Sequence, residues 1–95
     1  MKLIYSAIAK DQITSLPPQT KGQIRALLEE IQDNPHHGKA LRDDLTGFRS
    51  SAFHRYRIVY RIMKKSNEIW IYIVERRETV YENASRLLAE QKKRT

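Results

Sequence analysis

Three arginines and one tyrosine are the side chains of this chain whose types and spacing could do chemistry on a phosphate. They are Arg49, Arg57, Arg77 and Tyr81. Guanidinium groups bind phosphate through paired hydrogen bonds and stay charged. The amino terminus of a helix also attracts phosphate through its free N–H groups. If the four side chains converge, they would supply the positive charge that a pentacovalent phosphorane requires.

Each of these residues also has an ordinary structural interpretation. Arg49 could be a solvated strand residue, and Tyr81 could pack at the start of a helix. Arg77 could neutralise a neighbouring acid, and Arg57 could form an ion pair with a carboxylate. The carboxylates in question are Asp43, Asp44 and Glu75. Only the convergence of all four side chains favours the catalytic interpretation over these alternatives.

The chain offers little for other kinds of chemistry. It has no cysteine, which excludes disulfides and thiolate metal sites. His36 and His37 are adjacent in a loop and no carboxylate cluster has metal-ligand spacing, so we expect no metal. His54 could carry a proton near neutral pH, but a place near a hairpin turn is the stronger interpretation. Without a Gly-rich phosphate loop or a Ser/His/Asp motif, we expect no cofactor.

Strands must position the arginines, because the pattern has period two from Phe48 onward. In residues 55–63, apolar side chains occupy one face and arginines dominate the other. The apolar face holds Tyr56, Ile58, Tyr60 and Ile62, and the cationic face holds Arg55, Arg57, Val59 and Arg61. This alternation predicts a half-buried strand. Residues 69–74 are apolar on both faces and predict a strand inside the sheet, with Trp70 in the core rather than stacked on bases.

Helical patterns precede and follow these strands. After a first strand at residues 2–5, Ser6 is placed to cap a short helix. A proline pair ends that helix and opens a second one, which stops near Asp33. A third helix follows Thr79.

Segregated helices and strands predict an α+β fold. We expect a small antiparallel sheet of about four strands, two amino-terminal helices packed on one face, and a carboxy-terminal helix. The cationic sheet face would then be open. The whole chain, residues 1–95, reads as one domain, with residues 91–95 as a frayed tail.

Positive charge is concentrated in the middle of the chain. The 95 residues carry 18 Lys and Arg against 11 Asp and Glu, a formal net charge of +7. Residues 39–77 hold ten basic and four acidic side chains, a net +6, whereas residues 1–38 sum to zero. Such a surface is typical of a polyanion binder, although a solvated strand face would also carry charge. Without a membrane-spanning run or a secretory signal, we expect a cytoplasmic protein that binds no membrane.

Three segments of the chain resemble the RelE/ParE superfamily of bacterial and archaeal toxins. They are KALRDDLTGFR at residues 39–49, YRIVYRI at residues 56–62 and RETVYE at residues 77–82. The resemblance covers roughly residues 2–90 and implies the microbial RNase-like α+β fold of RelE. It also implies a type II toxin–antitoxin system, in which an acidic antitoxin wraps this chain, and no small-molecule cofactor.

The RelE branch cuts mRNA in the ribosomal A site, so the resemblance implies the ribosome and mRNA as partners. In that chemistry the ribose 2′-hydroxyl attacks the adjacent phosphate and leaves a 2′,3′-cyclic end. By motif position, Arg57 and Arg77 would stabilise the transition state. Tyr81 would orient or stack on a base or assist proton transfer, and Arg49 would hold phosphate or help activate the 2′-hydroxyl. Other basic side chains of the region would bind RNA, namely Lys39, Arg55, Arg61 and Arg76.

Two departures from the RelE pattern bear on this activity. Ser51 stands where strongly cleaving members place a second basic residue, and the hairpin turn at residues 52–55 lacks the usual glycine. Neither Arg49 nor Tyr81 ordinarily titrates near neutrality, so cleavage would depend on charge and positioning. ParE-type members act on DNA gyrase without cutting RNA and typically lack the terminal arginine–tyrosine pair. A ParE-like gyrase inhibitor is therefore the first alternative, and a basic binding module without toxic activity is the second.

Overall fold

Three helices and a five-stranded sheet make up the part of the chain that the computed structural model describes, residues 1–93. The strands are β1 (Lys2–Tyr5), β2 (Lys39–Ala40), β3 (Arg49–Phe53), β4 (Tyr56–Met63) and β5 (Glu68–Arg76). The helices are α1 (Ala7–Thr14), α2 (Pro18–Asp33) and α3 (Val80–Lys93), and short 3₁₀ turns at Pro35–His37 and Asp43–Leu45 flank β2. The predicted α+β fold is confirmed. The predicted tail is not wholly frayed, because α3 continues to Lys93, whereas residues 94 and 95 lie outside the described range.

The sheet is mixed and has the strand order β1-β5-β4-β3-β2. Strands β2 to β5 pair antiparallel, whereas β1 runs parallel to β5, with Tyr5 opposite Ile71. The sequence predicts about four antiparallel strands, so the structure differs in two respects. Strand β2 forms at residues for which the sequence predicts no strand, and β1 is parallel because α1 and α2 carry the chain across before the hairpins begin. As expected, β5 lies inside the sheet.

The two amino-terminal helices begin and end where their residue types dictate. Ser6 caps α1 by accepting a hydrogen bond from Ala9 N–H at 2.9 Å. Helix α2 buries one apolar stripe, composed of Ile24, Leu27, Leu28 and Ile31. It ends at Asn34, which precedes proline and has non-helical angles. Among residues 1–93, no helix is both long and apolar enough to cross a membrane.

Apolar side chains are buried on both faces of the sheet. Helices α1 and α2 pack on one face, against Ile58 and Tyr60. Helix α3 and the Asp43–Leu45 turn pack on the other face, against Val59. The expectation of an open cationic face is therefore wrong. Because β5 is apolar on both sides and Val59 lies between two arginines of β4, this face also has apolar area to bury.

The Ser6 cap of α1 and one side chain within the helix complete the hydrogen bonding along the edge of β5. Pairing between β1 and β5 ends at Ile71, and α1 lies beside the residues that follow. Ser6 Oγ donates to the Tyr72 carbonyl at 2.7 Å, and Gln12 Oε1 accepts from Val74 N–H at 2.8 Å. Buried backbone groups need such partners. The two side chains therefore take the place of a paired strand.

Glu75, near the end of β5, ties α1 to α3. Its Oε2 atom accepts a hydrogen bond from Gln12 Nε2 at 2.8 Å. Its Oε1 atom accepts from Thr79 Oγ1 at 2.8 Å and from Asn83 Nδ2 at 2.7 Å. The start of α3 is thereby fixed relative to the sheet, and any side chain in its first turn has a defined position.

Replacing Gln12 with alanine should lower the free energy of unfolding by about 1–3 kcal/mol, because the Val74 N–H and one Glu75 oxygen would lose their partners. Urea denaturation followed by circular dichroism measures this change. The matched control is Gln19→Ala, at an exposed position of α2, which should change stability by less than about 0.5 kcal/mol. Equal effects of the two substitutions would contradict the edge-sealing role of Gln12.

Candidate functional site

An open pocket lies where the β3–β4 hairpin meets the link between β5 and α3. We call it the arginine pocket, and its lining residues are Lys39, Ser50, Ala52, Arg57, Arg77, Glu78 and Tyr81. Three of the four side chains that the sequence grouped as catalytic are thus brought together, from three different elements. Lys39, expected to bind RNA, joins them. Arg49 does not line the pocket.

Strand register explains how the two pocket arginines meet. Arg57 on β4 lies opposite Ala52 on β3 and opposite Glu75 on β5, so these side chains share one face of the sheet. Arg77 directly follows β5, and its N–H donates to the Arg55 carbonyl at 2.8 Å. This bond extends the β4–β5 pairing past the end of β5. Arg77 is therefore held beside the hairpin that carries Arg57.

Arg57 keeps its positive charge uncompensated. Its Nη1 atom donates to the carbonyls of His54 at 2.8 Å and Tyr56 at 2.9 Å. Within residues 1–93, no carboxylate lies within 4.0 Å of this guanidinium, which excludes the ion pair considered from the sequence. Neutral carbonyls orient the group without cancelling its charge. A half-buried cation of this kind is suited to hold an anionic ligand.

Arg77 has an acidic neighbour. Its Nε atom lies 3.5 Å from Glu78 Oε1, and both side chains are largely exposed. An exposed pair of this kind contributes little to stability. A hydrogen bond from its own backbone, and then the bond from Arg77, lower the pKa of Glu78. The Glu78 carboxylate therefore remains ionised at pH values below those at which glutamate usually takes up a proton. It competes with an incoming anion for Arg77.

Tyr81 is held by a residue that sequence reasoning missed. Its hydroxyl lies 3.0 Å from Ser50 Oγ, and the half-buried ring packs against the apolar cluster beneath α3. Ser50 is only 6% exposed and pairs with Lys39 on β2 and Val59 on β4. The signal lies in the hairpin geometry, because a two-residue turn at residues 54 and 55 places Ser50 and Ala52 on the same face as Arg57. Judged by residue type alone, Arg49 is the stronger candidate on β3.

Arg49 lies on the opposite face of the sheet, so its expected place beside the other three side chains is wrong. It pairs with Tyr60, whose ring is buried against α2. Arg49 Nη1 donates to the carbonyls of Gly38 at 2.7 Å and His36 at 3.2 Å. The physical reason is the alternation of side chains along β3, which sends neighbouring residues to opposite faces.

The other basic residues predicted to bind RNA are dispersed. Arg55 is exposed at the turn of the β3–β4 hairpin. Arg61 is exposed on β4, with its guanidinium carbon 5.6 Å from the centre of the Phe48 ring, a cation–π distance. Arg76 is exposed at the end of β5 and pairs with Tyr56, so it faces away from the arginine pocket. Of the four, only Lys39 lines this pocket.

The remaining candidates from the sequence lie outside the arginine pocket. Trp70 is 41% exposed, so its expected core position is wrong; it lies opposite Arg61, outside the cluster that α3 covers. His54 occupies the hairpin turn with a positive φ of 51°. His36 and His37 lie in the first 3₁₀ turn. Across the described residues 1–93, no three His, Asp or Glu side chains form a cluster that could hold a metal ion.

The chain matches a known family over most of its length. The model described as the ParE toxin of the type II toxin–antitoxin system parDE matches residues 1–81. No curated protein sequence matches the chain.

Several solved structures share the fold. The RelBE2 toxin–antitoxin complex from Mycobacterium tuberculosis is 26% identical, with 80% of this chain and 96% of that chain covered and a TM-score of 0.73. The isolated RelE toxin of E. coli is 22% identical over 90% of this chain and 97% of that chain, with a TM-score of 0.68. A YoeB/ParE toxin from Agrobacterium tumefaciens is 19% identical over 80% and 98%, with a TM-score of 0.71. At these identities, the last two establish the fold alone.

Replacing Glu78 with glutamine should strengthen the binding of a short single-stranded RNA by roughly twofold to fivefold, the range of a solvent-exposed charge pair. The change removes the anion that competes for Arg77. Because the pKa of Glu78 is lowered, the difference from the parent should persist as the pH falls toward the ordinary glutamate pKa of about 4.3. Fluorescence anisotropy measures the affinity, and Glu29→Gln, exposed on α2, controls for net charge. Equal gains from both variants would contradict a local role for Glu78.

Proposed function

We propose that this chain, which belongs to the ParE toxin family within the RelE/ParE superfamily of type II toxins, is a ribosome-dependent mRNA endonuclease that inhibits translation. The observation that carries the proposal is the arginine pocket. Arg57, Arg77 and Lys39 surround one concave surface, and the ring of Tyr81 forms part of its wall. A phosphodiester in this pocket would meet three cations and an aromatic face, which is suited to single-stranded RNA.

The chemistry is an attack by a ribose 2′-hydroxyl on the adjacent phosphate. A bond forms between the 2′-oxygen and phosphorus, and the bond from phosphorus to the 5′-oxygen breaks. The 2′-hydroxyl loses its proton and the 5′-oxygen gains one, so the products are a 2′,3′-cyclic phosphate and a free 5′-hydroxyl. Arg57 and Arg77 would stabilise the extra negative charge on the phosphorane, as fixed donors do in other enzymes.

The pocket would contribute less to proton transfer than to charge stabilisation. The titratable wall residues are Lys39, Arg57, Arg77, Glu78 and Tyr81, and none of these residue types ordinarily titrates near pH 7. Rate enhancement would therefore come from charge stabilisation and from holding the 2′-oxygen in line with the scissile bond. The ribosome would contribute to that alignment by presenting the message in an extended form. This requirement would restrict cleavage to translated mRNA rather than free RNA.

The partner that restrains this activity would be an acidic antitoxin. The net charge of +7 favours binding to an acidic partner protein. The similar structure from M. tuberculosis is that of a toxin–antitoxin complex. Because ribosomes and mRNA are the targets, the protein would act in the cytoplasm. No small-molecule cofactor enters the proposed chemistry.

The second candidate function is that of a ParE-like toxin that binds DNA gyrase and cuts no RNA. Two observations favour it. The matching family model is that of ParE, and Ser50 occupies the β3 position beside Tyr81 while Arg49 lies on the other face. The arginine pocket would then be a docking surface for an acidic segment of the target.

Alanine at Arg77 should reduce cleavage of translated mRNA by about 100-fold to 1,000-fold, the effect of removing one transition-state donor in comparable sites. Alanine at Tyr81 should reduce it by about 5-fold to 150-fold, the effect of removing one aromatic face on which a base stacks. Primer extension on ribosome-bound message in a cell-free translation system measures the cut sites and their rates. Arg86→Ala is the matched control, because Arg86 is exposed on the same helix and pairs only with Glu82 among the described contacts. Unchanged cleavage in both pocket variants would contradict the proposed site.

A parallel assay of gyrase supercoiling separates the two functions. The endonuclease proposal requires cut message and unimpaired supercoiling with the parent protein. Inhibited supercoiling with intact message would overturn the endonuclease proposal in favour of the ParE-like function.

A further inference from the structure

The chain segment that leads into Lys39 of the arginine pocket is held by two side chains on the opposite face of the sheet. We propose that Arg49, together with Tyr60, is a positioning residue that fixes Lys39 in the pocket. This inference rests on the proposed function for its catalytic consequence, but its structural content can be tested without RNA. It also gives Arg49 a role different from phosphate binding, which its residue type alone would indicate.

Arg49 and Tyr60 form a clamp on residues 35–38. The two residues are directly opposite each other on β3 and β4 and therefore lie on the same face. Arg49 Nη1 donates to the Gly38 carbonyl at 2.7 Å and the His36 carbonyl at 3.2 Å. Tyr60 Oη donates to the Pro35 carbonyl at 2.6 Å. Three carbonyls of the backbone path into β2 are thereby bound to the sheet.

The packing around Gly38 shows how closely the clamp holds this segment. Gly38 is buried, and a Cβ atom added there would collide with the Tyr60 hydroxyl and lie 2.9 Å from the ring carbon that bears it. Real side chains never approach so closely, so only glycine allows the Tyr60 hydroxyl to reach the Pro35 carbonyl. The clamp and the residue that permits it are therefore interdependent.

Strand β2 needs such support because it is very short. Two residue pairs join it to β3, Lys39 with Ser50 and Ala40 with Arg49, and one further backbone bond, from Leu41 N–H to the Phe48 carbonyl at 2.9 Å, extends the pairing. A strand of that length cannot hold its register by its own ladder. Lys39 is an exposed side chain, so its own packing does not fix the backbone either. The clamp on the preceding residues is what places Lys39 beside Ser50, on the pocket face.

Arg49 acts on the pocket only through the backbone. Its side chain lies on the α2 face, whereas Ser50 and Lys39 lie on the pocket face. Its guanidinium is already engaged with two carbonyls at the end of a 3₁₀ turn, where carbonyls otherwise lack partners. Loss of Arg49 would therefore mobilise Lys39 without removing any charge from the pocket itself.

The decisive experiment measures backbone order at residue 39 directly. The chain has no cysteine, so Lys39→Cys provides a single site for a nitroxide spin label. We expect the electron paramagnetic resonance spectrum of this label to be broad in the parent background. Arg49→Ala and Tyr60→Phe should each sharpen it. Ser51→Ala, on the same strand and the same face as Arg49, should leave the spectrum unchanged, and circular dichroism confirms folding of each variant.

An unchanged label spectrum in the Arg49→Ala background would overturn the proposal. If Arg49→Ala does not fold, Tyr60→Phe decides the question in the same way, because it removes only a hydroxyl and leaves the buried ring in place. Sharpening in the Ser51→Ala control as well would also overturn the proposal, since general loosening of β3 would then explain the effect.

The catalytic consequence is tested by a double-mutant cycle on cleavage of translated mRNA. Arg49→Ala and Lys39→Ala should each lower kcat/KM by up to about 100-fold, the cost of a misplacement of about 1 Å. The double variant should lose no more than either single variant. Additive losses would show that Arg49 contacts RNA itself and would overturn the positioning role. Absence of cleavage by the parent protein would defeat the proposed function, while the spin-label result would still decide the inference.

Discussion

The alternation of side chains along β3 determines what chemistry this fold can support. Arg49 and Ser50 are neighbours in the chain, yet their partners on β4, Tyr60 and Val59, are buried in two separate apolar clusters. A shift of β3 by one residue would exchange the faces on which its side chains lie and would take the Phe53 ring out of its apolar cluster, so the register is strongly fixed. The same constraint puts a serine next to Tyr81 and sends the arginine to the other side of the sheet. Core packing therefore selects the residues of the arginine pocket.

The electrostatics of the pocket follow from which partners its cations have. Arg57 is oriented by two backbone carbonyls and retains its full charge, whereas Arg77 shares its charge with an exposed glutamate. The pocket is consequently better equipped to attract and stabilise phosphate than to move protons. A surface that concentrates positive charge can either stabilise a transition state or dock on an acidic protein, depending on what is presented to it.

Much of the fold follows from local sequence patterns, and the errors have identifiable physical causes. The cap at Ser6, the end of α2 near Asp33 and the period-two strand at residues 55–63 depend on neighbouring residues, so the sequence predicts them well. Long-range facts are different. The parallel pairing of β1 and the covering of the second face by α3 arise from tertiary contacts, which no local pattern encodes.

The candidate site shows the same division between local and long-range information. The sequence can group Arg57, Arg77 and Tyr81, which do line one pocket, because a predicted strand or a predicted helix start fixes the position of each. Arg49 lies elsewhere because its position in the alternation along β3, and not its charge, decides which face of the sheet it occupies.

The sealing of β5 by Ser6 and Gln12 also bears on aggregation between copies of the chain. Exposed strand edges are templates on which chains stack into aggregates. With two side chains occupying those backbone groups, this stretch of β5 offers no template to another copy.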